Sequence, residues 1–487
     1  MKRTLLLALT LWLPLLSSKI RAQDPPPARP IIAISDTHFG VGKRGSKWLP
    51  YEDFRWNADL VAFLGYLTKR YPGGAQVLLN GDTFELWQFD SSLAPEGDCP
   101  ALPNARLGCT EAQALARLTY ILKQHADDLK ALNDFATAPN NSVTIIPGNH
   151  DGALLFPSLR AAVMAAYPKL LVSDKGHWLS SDGRVLVEHG HQIGADVNAF
   201  AKWPQPFIEL DSKKYLERTG GELFVNSFYN PIEKDYPTID NITDEGAAVS
   251  YARERVGAHG MFDAVGQFLR TLFIDAAWPQ TARWMSIAPG GPKWDLDETR
   301  KGGDELLRNL IPGRPSPDLL EASGLTMAGL TAPELTNLCD RAEAYRAAVA
   351  DSVAACVPPM GQALEKLKNK YAVLVKHLQQ RAQEYPGFMT FVYSHTHAAE
   401  AEFKPVDAEW NPSVINTGAF QRVISPEEIE ARIKSGALKR ADVITLKHDQ
   451  LPRCYTFVEI ASTKDSPKLS RFNYVTDKWV AEQGACK

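Results

Sequence analysis

The chain has 487 residues, 45% hydrophobic and 23% charged, with a formal net charge of −4. Such composition excludes an intrinsically disordered chain, and six cysteines in this length exclude a disulfide-scaffold mini-protein. Without a basic excess no nucleic-acid binding is expected, and the length allows about three domains or one large domain with insertions.

Residues 1–22 begin Met1-Lys2-Arg3, run apolar from Thr4 to Leu16 and end Ile20-Arg21-Ala22. A positive start, a short apolar run and a final small residue read as a secretory signal peptide cleaved near Ala22. An uncleaved membrane anchor would need about 20 apolar residues, more than this run supplies. The chain is therefore expected to be exported, periplasmic or extracellular. Loss of Lys2, Arg3, Lys19 and Arg21 would leave the mature protein more acidic. Export also makes the even set of cysteines a candidate disulfide framework. Short loops close at the least entropic cost, which favours Cys99–Cys109, Cys339–Cys356 and Cys454–Cys486.

Residues 23–30 are a proline-rich lead-in. Ile31–Ser35 is a predicted buried strand running into Asp36-Thr37-His38. Asn57–Arg70 has apolar residues at helical spacing and stops at Pro72-Gly73-Gly74. A second strand, Gln76–Leu79, leads to Asn80-Gly81-Asp82. Thr110 is suited to cap one long helix reaching roughly Thr137. A third strand, Val143–Ile146, leads to Gly148-Asn149-His150-Asp151, and a fourth, Arg184–Glu188, to His189-Gly190-His191. After some 200 residues without a comparable motif, Phe388–Tyr393 leads to Ser394-His395-Thr396-His397. Val414–Asn416, Val443–Lys447 and Cys454–Ile460 read as closing strands.

Five apolar strands thus run straight into loops carrying His, Asp or Asn. In α/β sheets the carboxyl ends of strands converge on one edge, where ligands bind. The five loops are expected to gather Asp36, His38, Asp82, Asn149, His150, His189, His395 and His397. Imidazoles, carboxylates and no thiolate suit Mn, Fe, Zn, Co or Mg. Eight residues exceed the need of one ion but suit two that share a bridging carboxylate. The remaining histidines His125, His177, His259, His377 and His448 read as surface or satisfied core groups.

The ordered motifs D-x-H (36–38), G-D (81–82), G-N-H-D (148–151), H (189) and H-x-H (395–397) resemble the calcineurin-like metallophosphoesterases. The resemblance covers about residues 30–200 and 385–460. It implies a four-layer αββα sandwich in two parts, 23–200 and 386–487, separated by a mostly helical insertion at 201–385. It assigns one metal to Asp36, His38, Asp82 and His397 and the other to Asp82, Asn149, His189 and His395, with Asp82 as the bridge. Two divalent ions would neutralise phosphate oxygens and lower the pKa of a bridging water, so that hydroxide attacks phosphorus. His150 matches the family's non-ligand histidine, suited to protonate the leaving group or to hydrogen-bond the phosphoryl oxygen. Asp151, next in sequence, is expected to orient His150.

Three departures bear on this reading. Ser394 stands where the family usually has Gly, a small change expected to leave metal binding intact. His191 shares a face with His189 but is expected to lie behind the metal or face substrate rather than ligate. Glu85 occupies the position where purple acid phosphatases carry a tyrosine ligand, so their colour is not expected. The stretch Gly81–Trp87 (G-D-T-F-E-L-W) resembles the UDP-2,3-diacylglucosamine pyrophosphatases, read as kinship rather than shared substrate. The insertion has three readings: a helical unit packing its own core, a cap over the site lined by Trp278, Trp284 and Trp294, or an amphipathic surface for peripheral membrane or lipid contact. The function expected is an exported, dinuclear phosphomonoesterase or phosphodiesterase acting on a phosphate-ester substrate. The alternatives are a pyrophosphatase of nucleotide- or lipid-linked diphosphates and a non-catalytic metal-binding envelope protein.

Overall fold

The computed structural model describes residues 29–99, 107–193, 198–226, 230–243, 248, 251, 370–405 and 410–486. The expected signal peptide, the expected Cys339–Cys356 pairing, Trp278, Trp284 and Trp294, and most of the expected insertion at 201–385 lie outside these residues. Within them the chain is mixed α/β, with two large sheets whose strands are numbered here in chain order. They are β1 (Ile31–Ile34), β2 (Gln76–Asn80), β3 (Ser142–Ile146), β4 (Leu170–Val172), β5 (His177–Leu179) and β6 (Val185–Glu188). Then come β7 (Thr390–Tyr393), β8 (Glu400–Phe403), β9 (Ser413–Asn416), β10 (Cys454–Ile460), β11 (Lys468–Val475) and β12 (Lys478–Gln483). The six longer described helices are α1 (Asn57–Arg70), α2 (Glu111–Gln124), α3 (Ala126–Thr137), α4 (Pro157–Ala166), α5 (Lys370–Glu384) and α6 (Pro426–Lys434).

The larger sheet has the order β12-β11-β10-β1-β2-β3-β4 and the smaller β8-β9-β7-β6-β5. β1 through β4 pair in parallel, as do β6, β7 and β9, so their carboxyl ends fall on a common edge within each sheet. Alternation along the strands sets the packing. Ile31, Ala33, Leu78 and Ile146 of the larger sheet share one buried cluster with Val185, Val187, Val392 and Ile415 of the smaller. The intervening residues Ile32, Ile34, Val77 and Leu79 point the other way, into a cluster with Leu60, Phe63, Leu118, Leu132 and Leu159 of helices α1 to α4. On the far side of the smaller sheet, Leu186, Phe391 and Val414 pack against Leu374 and Leu378 of α5. Burial on both faces explains why these strands read as continuous apolar runs.

Helix α1 buries Leu60, Phe63, Leu64 and Leu67 along one stripe. Its buried Asp59 accepts from Arg422, Arg453 and Tyr455 at 2.6–2.8 Å, which offsets a desolvation cost of several kcal/mol for a lone carboxylate. Thr110 caps α2 reciprocally with Gln113. The expected single helix to Thr137 is two helices, broken at His125. That side chain is buried and held between Glu52 and Asp128, so a tertiary contact overrides local propensity. Val443–Lys447, expected as a strand, lies largely in the 3₁₀ turn Arg440–Thr445. The segment after residue 201 opens not with a helix but with the hairpin Phe207–Leu210/Lys213–Glu217, which extends to Leu107–Thr110.

Cys99–Cys109 and Cys454–Cys486 are disulfide-bonded, as the loop lengths suggested. Two such bonds fit an oxidising extracellular setting. No helix among the described residues is long and apolar enough to cross a membrane.

Candidate metal centre

The loops after β1 and β2 are zipped together. Asp36 N donates to Gly81 O at 3.1 Å, His38 N to Asp82 O at 3.0 Å and Phe39 N to Thr83 O at 2.8 Å. Asp36, His38, Asp82, His395 and His397 all adopt positive φ, between 45° and 73°. Non-glycine residues rarely hold this conformation, and such strain collects where side chains must converge. The approach leaves no room between loops. A Cβ on Gly81 (φ +87°) would lie 2.2 Å from His189 Nδ1, and one on Gly148 2.3 Å from Asp82 Oδ1.

The structure brings seven expected ligand residues into two adjoining groups. Donor atoms of Asp36, His38 and His397 lie within 4.8 Å of one another, and so do those of Asp82, His189 and His395. Asn149 joins the second group, its Oδ1 3.0 Å from His189 Nε2. His189 Nε2 is also 2.9 Å from Asp82 Oδ2 and 3.9 Å from Asp36 Oδ1, which ties the groups together. His397 Nε2 is 3.4 Å from Asp36 Oδ1, and His38 Nε2 is 4.0 Å from Asp82 Oδ2. Both carboxylate oxygens of Asp36 and Nε2 of His38 are buried without a hydrogen-bond partner. Orphaned buried polar atoms are costly, and a cation at this point would satisfy them. The donor chemistry, nitrogen and oxygen without sulfur, fits a divalent transition metal or magnesium.

Surrounding groups orient these side chains. His189 Nδ1 lies 2.9 Å from Asn80 O and 3.1 Å from Ser394 Oγ, leaving Nε2 to face the centre. Ser394 is wholly buried, and its hydroxyl lies within 3.0 Å of the carbonyls of Asn80 and His189, so the side chain sits behind His189 without blocking it. His191 is buried edge-on against Trp203 and Phe200 rather than among the donor atoms. Burial and the neighbouring imidazoles of His189 and His395 keep it neutral, well below the ordinary imidazole value.

His150 stands beside the donor atoms, with its backbone N–H on Asp82 Oδ1 at 2.8 Å. The expectation that Asp151 orients its ring is not met. The Asp151 carboxylate instead accepts from the backbone of Gly148, Thr83 and Phe84 and stitches the second and third loops together. The carboxylate on His150 is Glu85, with Oε2 2.5 Å from Nδ1. The same oxygen lies 3.0 Å from His38 Nδ1. Its Oε1 accepts from the N–H groups of Trp87 and Gln88, which fixes the side chain. Trp87 stacks on the His150 ring at 4.0 Å between centroids.

The electrostatics follow from this crowding. Burial pushes Asp36 and Asp82 up, but the charge of His189 and the nearby imidazoles more than offsets it and holds both below the ordinary carboxylate value. Burial would lower His38, yet its bond to Glu85 and the charges of Asp82, Glu85 and Asp36 lift it to about 10. Glu85 is pushed up by burial but held low by His150 and His38. Several His, Asp and Glu groups of this chain can therefore hold a metal ion. No protein-family model matches the chain, and no curated protein matches it.

Proposed function

We propose that the chain is an exported metallophosphoesterase of the calcineurin-like type that hydrolyses phosphate esters with two divalent cations. The carrying observation is the convergence of five strand-end loops on two adjoining donor groups that leave Asp36 and His38 Nε2 unsatisfied. Two facing sheets with helices packed on each outer side support the αββα sandwich that this reading requires. The motif order in the sequence supports it independently.

Asp36, His38, Asp82 and His397 would hold one cation and Asp82, Asn149, His189 and His395 the other, with Asp82 shared. When bound, the cations would neutralise phosphate charge and lower the pKa of water. The protein's own contribution lies in placement. The parallel strands fix the loops, and the positive-φ residues turn the side chains inward. His150 faces the same space, and Glu85 on its Nδ1 fixes the tautomer with Nε2 free to hold or give a proton. Trp87 covers one ring face of His150 and limits its rotation.

One feature favours a second reading, a pyrophosphatase of nucleotide- or lipid-linked diphosphates. Two of the residues that touch the His150 ring, Glu85 and Trp87, belong to the stretch resembling the UDP-2,3-diacylglucosamine pyrophosphatases. A panel of aryl monophosphate, bis-aryl phosphate and nucleoside diphosphate esters, assayed with Mn, Co, Zn, Fe or Mg, separates the readings. Turnover of the aryl esters supports the first and selective turnover of the diphosphates the second. No turnover despite measured metal occupancy would leave a metal-binding envelope protein. Asp82→Asn should abolish activity, because the shared ligand loses its charge.

A further inference from the structure

A second polar cluster lies outside the histidine-rich centre. Asp53 precedes α1, Glu233 ends the short helix Asn230–Glu233, and Asp240 follows in the next turn. One carboxylate oxygen from each lies within 4.8 Å of the others. Asp53 is 3% exposed and Glu233 1%. Gln88 bridges two of them, its Nε2 donating to Glu233 at 2.6 Å and to Asp240 at 3.0 Å. Asp53 Oδ1, equally buried, has no hydrogen-bond partner. Arg55 is nearby, its Nε donating to the Glu52 carbonyl and its guanidinium over Trp48, and its single charge offsets only part of the burden on Asp53 and Glu233.

Three carboxylates this close, two of them fully buried, require either bound protons or a cation. Burial and the neighbouring acids Glu85 and Glu52 push Asp53 up to about 7, and burial with Asp240 and Asp53 pushes Glu233 well above its usual value. Oxygen donors without nitrogen or sulfur select a hard ion. Magnesium keeps several of its waters, whereas calcium accepts an irregular shell of protein oxygens and so suits a buried site better.

We propose that Asp53, Glu233 and Asp240 form a third cation site that takes calcium and clamps residues 230–243 onto the loop before α1. The clamped segment follows the hairpin Phe207–Leu210/Lys213–Glu217, which itself pairs with Leu107–Thr110. It already pairs with residues at the other end of the chain, Thr243 N donating to Ile424 O and Thr238 Oγ1 to Leu446 O. The ion would add a tie at Glu233 and Asp240 to the bonds made by Thr238 and Thr243. The inference does not depend on the phosphoesterase reading, since it rests on a different set of donors.

The test is calcium titration by calorimetry on full-length protein whose histidine centre has been saturated with zinc. The expected result is one calcium per chain, bound at least about tenfold more weakly by the Asp53→Asn/Glu233→Gln double variant and unchanged in His397→Ala. A second measurement uses wild-type protein alone: calcium should slow tryptic cleavage after Lys234 several-fold. No calcium uptake by the wild type, uptake undiminished in the double variant, or cleavage indifferent to calcium would overturn the site and leave a proton-sharing carboxyl cluster.

Discussion

Glu85 is the residue on which the candidate site turns without being a ligand. One carboxylate oxygen meets both His38 and His150, so a single side chain orients an imidazole of the candidate metal centre and the proposed proton donor. Glu85→Gln keeps the shape but replaces an ionised acceptor with a weaker one. The expected outcome is a rate on an aryl phosphate about 10- to 100-fold lower, with metal content by elemental analysis little changed. Loss of both metals would instead mean that Glu85 acts mainly through His38. The ligand types at the strand ends were legible because each is a short polar motif directly after an apolar run. The role of Glu85 was not, because it joins histidines 47 and 65 positions away and no local spacing encodes that reach. The available signals were its place three residues after Asp82, where the purple acid phosphatases carry a tyrosine ligand, and its position within the stretch Gly81–Trp87. Asp151 departs for the opposite reason: adjacency in sequence suggests a contact, while its backbone turns the carboxylate toward three amide groups.

At the scale of elements, hydrophobic runs located α1 and β10 to the residue and the other strands beneath the site to within one or two positions. Failures occurred where tertiary contacts set local structure. The hairpin β11–β12 turns through Thr476 and Asp477, both at positive φ, a two-residue loop without the Asn-Gly signature that usually marks it. The α2–α3 break is set by His125, with Nδ1 2.9 Å from Asp128 and Nε2 3.2 Å from Glu52. Burial lowers that imidazole's pKa, but Glu52 and Asp128 raise it to about 9 from an ordinary 6.5. A group whose folded value lies above its unfolded value stabilises fully below the unfolded value and loses that contribution as pH rises through the folded one. The His125 contribution should therefore be complete below pH 6.5 and gone above about 9. Other groups titrate in this range, so the readout is a difference: urea unfolding of wild type against His125→Gln, at pH 6 and at pH 9.5. The wild-type advantage at pH 6 should be on the order of 3 kcal/mol and should shrink markedly at pH 9.5. An advantage independent of pH would mean that His125 holds the helix break by packing alone.

At the scale of the whole molecule, a long stretch of sequence separates β6 from β7, and the site is assembled from both sides of it. β7 sits between β6 and β9, so the two parts are interleaved in one sheet rather than joined at a border. Helix α5, read from sequence as the end of the insertion, packs on this sheet through Leu374 and Leu378. Its His377 and Arg381 also pair with Glu188, the residue before His189, so it belongs to the sheet domain. The larger sheet has a different weak point at its carboxyl-terminal edge. β12 has only β11 beside it, and its side chains are mostly exposed. Cys486, just beyond β12, is bonded to Cys454 at the start of β10, across a separation of 32 residues. Closing a loop of that size stabilises by roughly 3–4 kcal/mol, mainly through the unfolded chain. Replacing both cysteines with Ala should lower unfolding stability in urea by about that amount. Hydrogen exchange should speed up first in β11 and β12, because the bond fastens that edge, whereas β1 and β2 beneath the donor loops are held by neighbours on both sides. Metal content should then survive the loss of the bond at moderate temperature. Faster exchange reaching β1 and β2 at once would show that edge and site unfold as one cooperative unit.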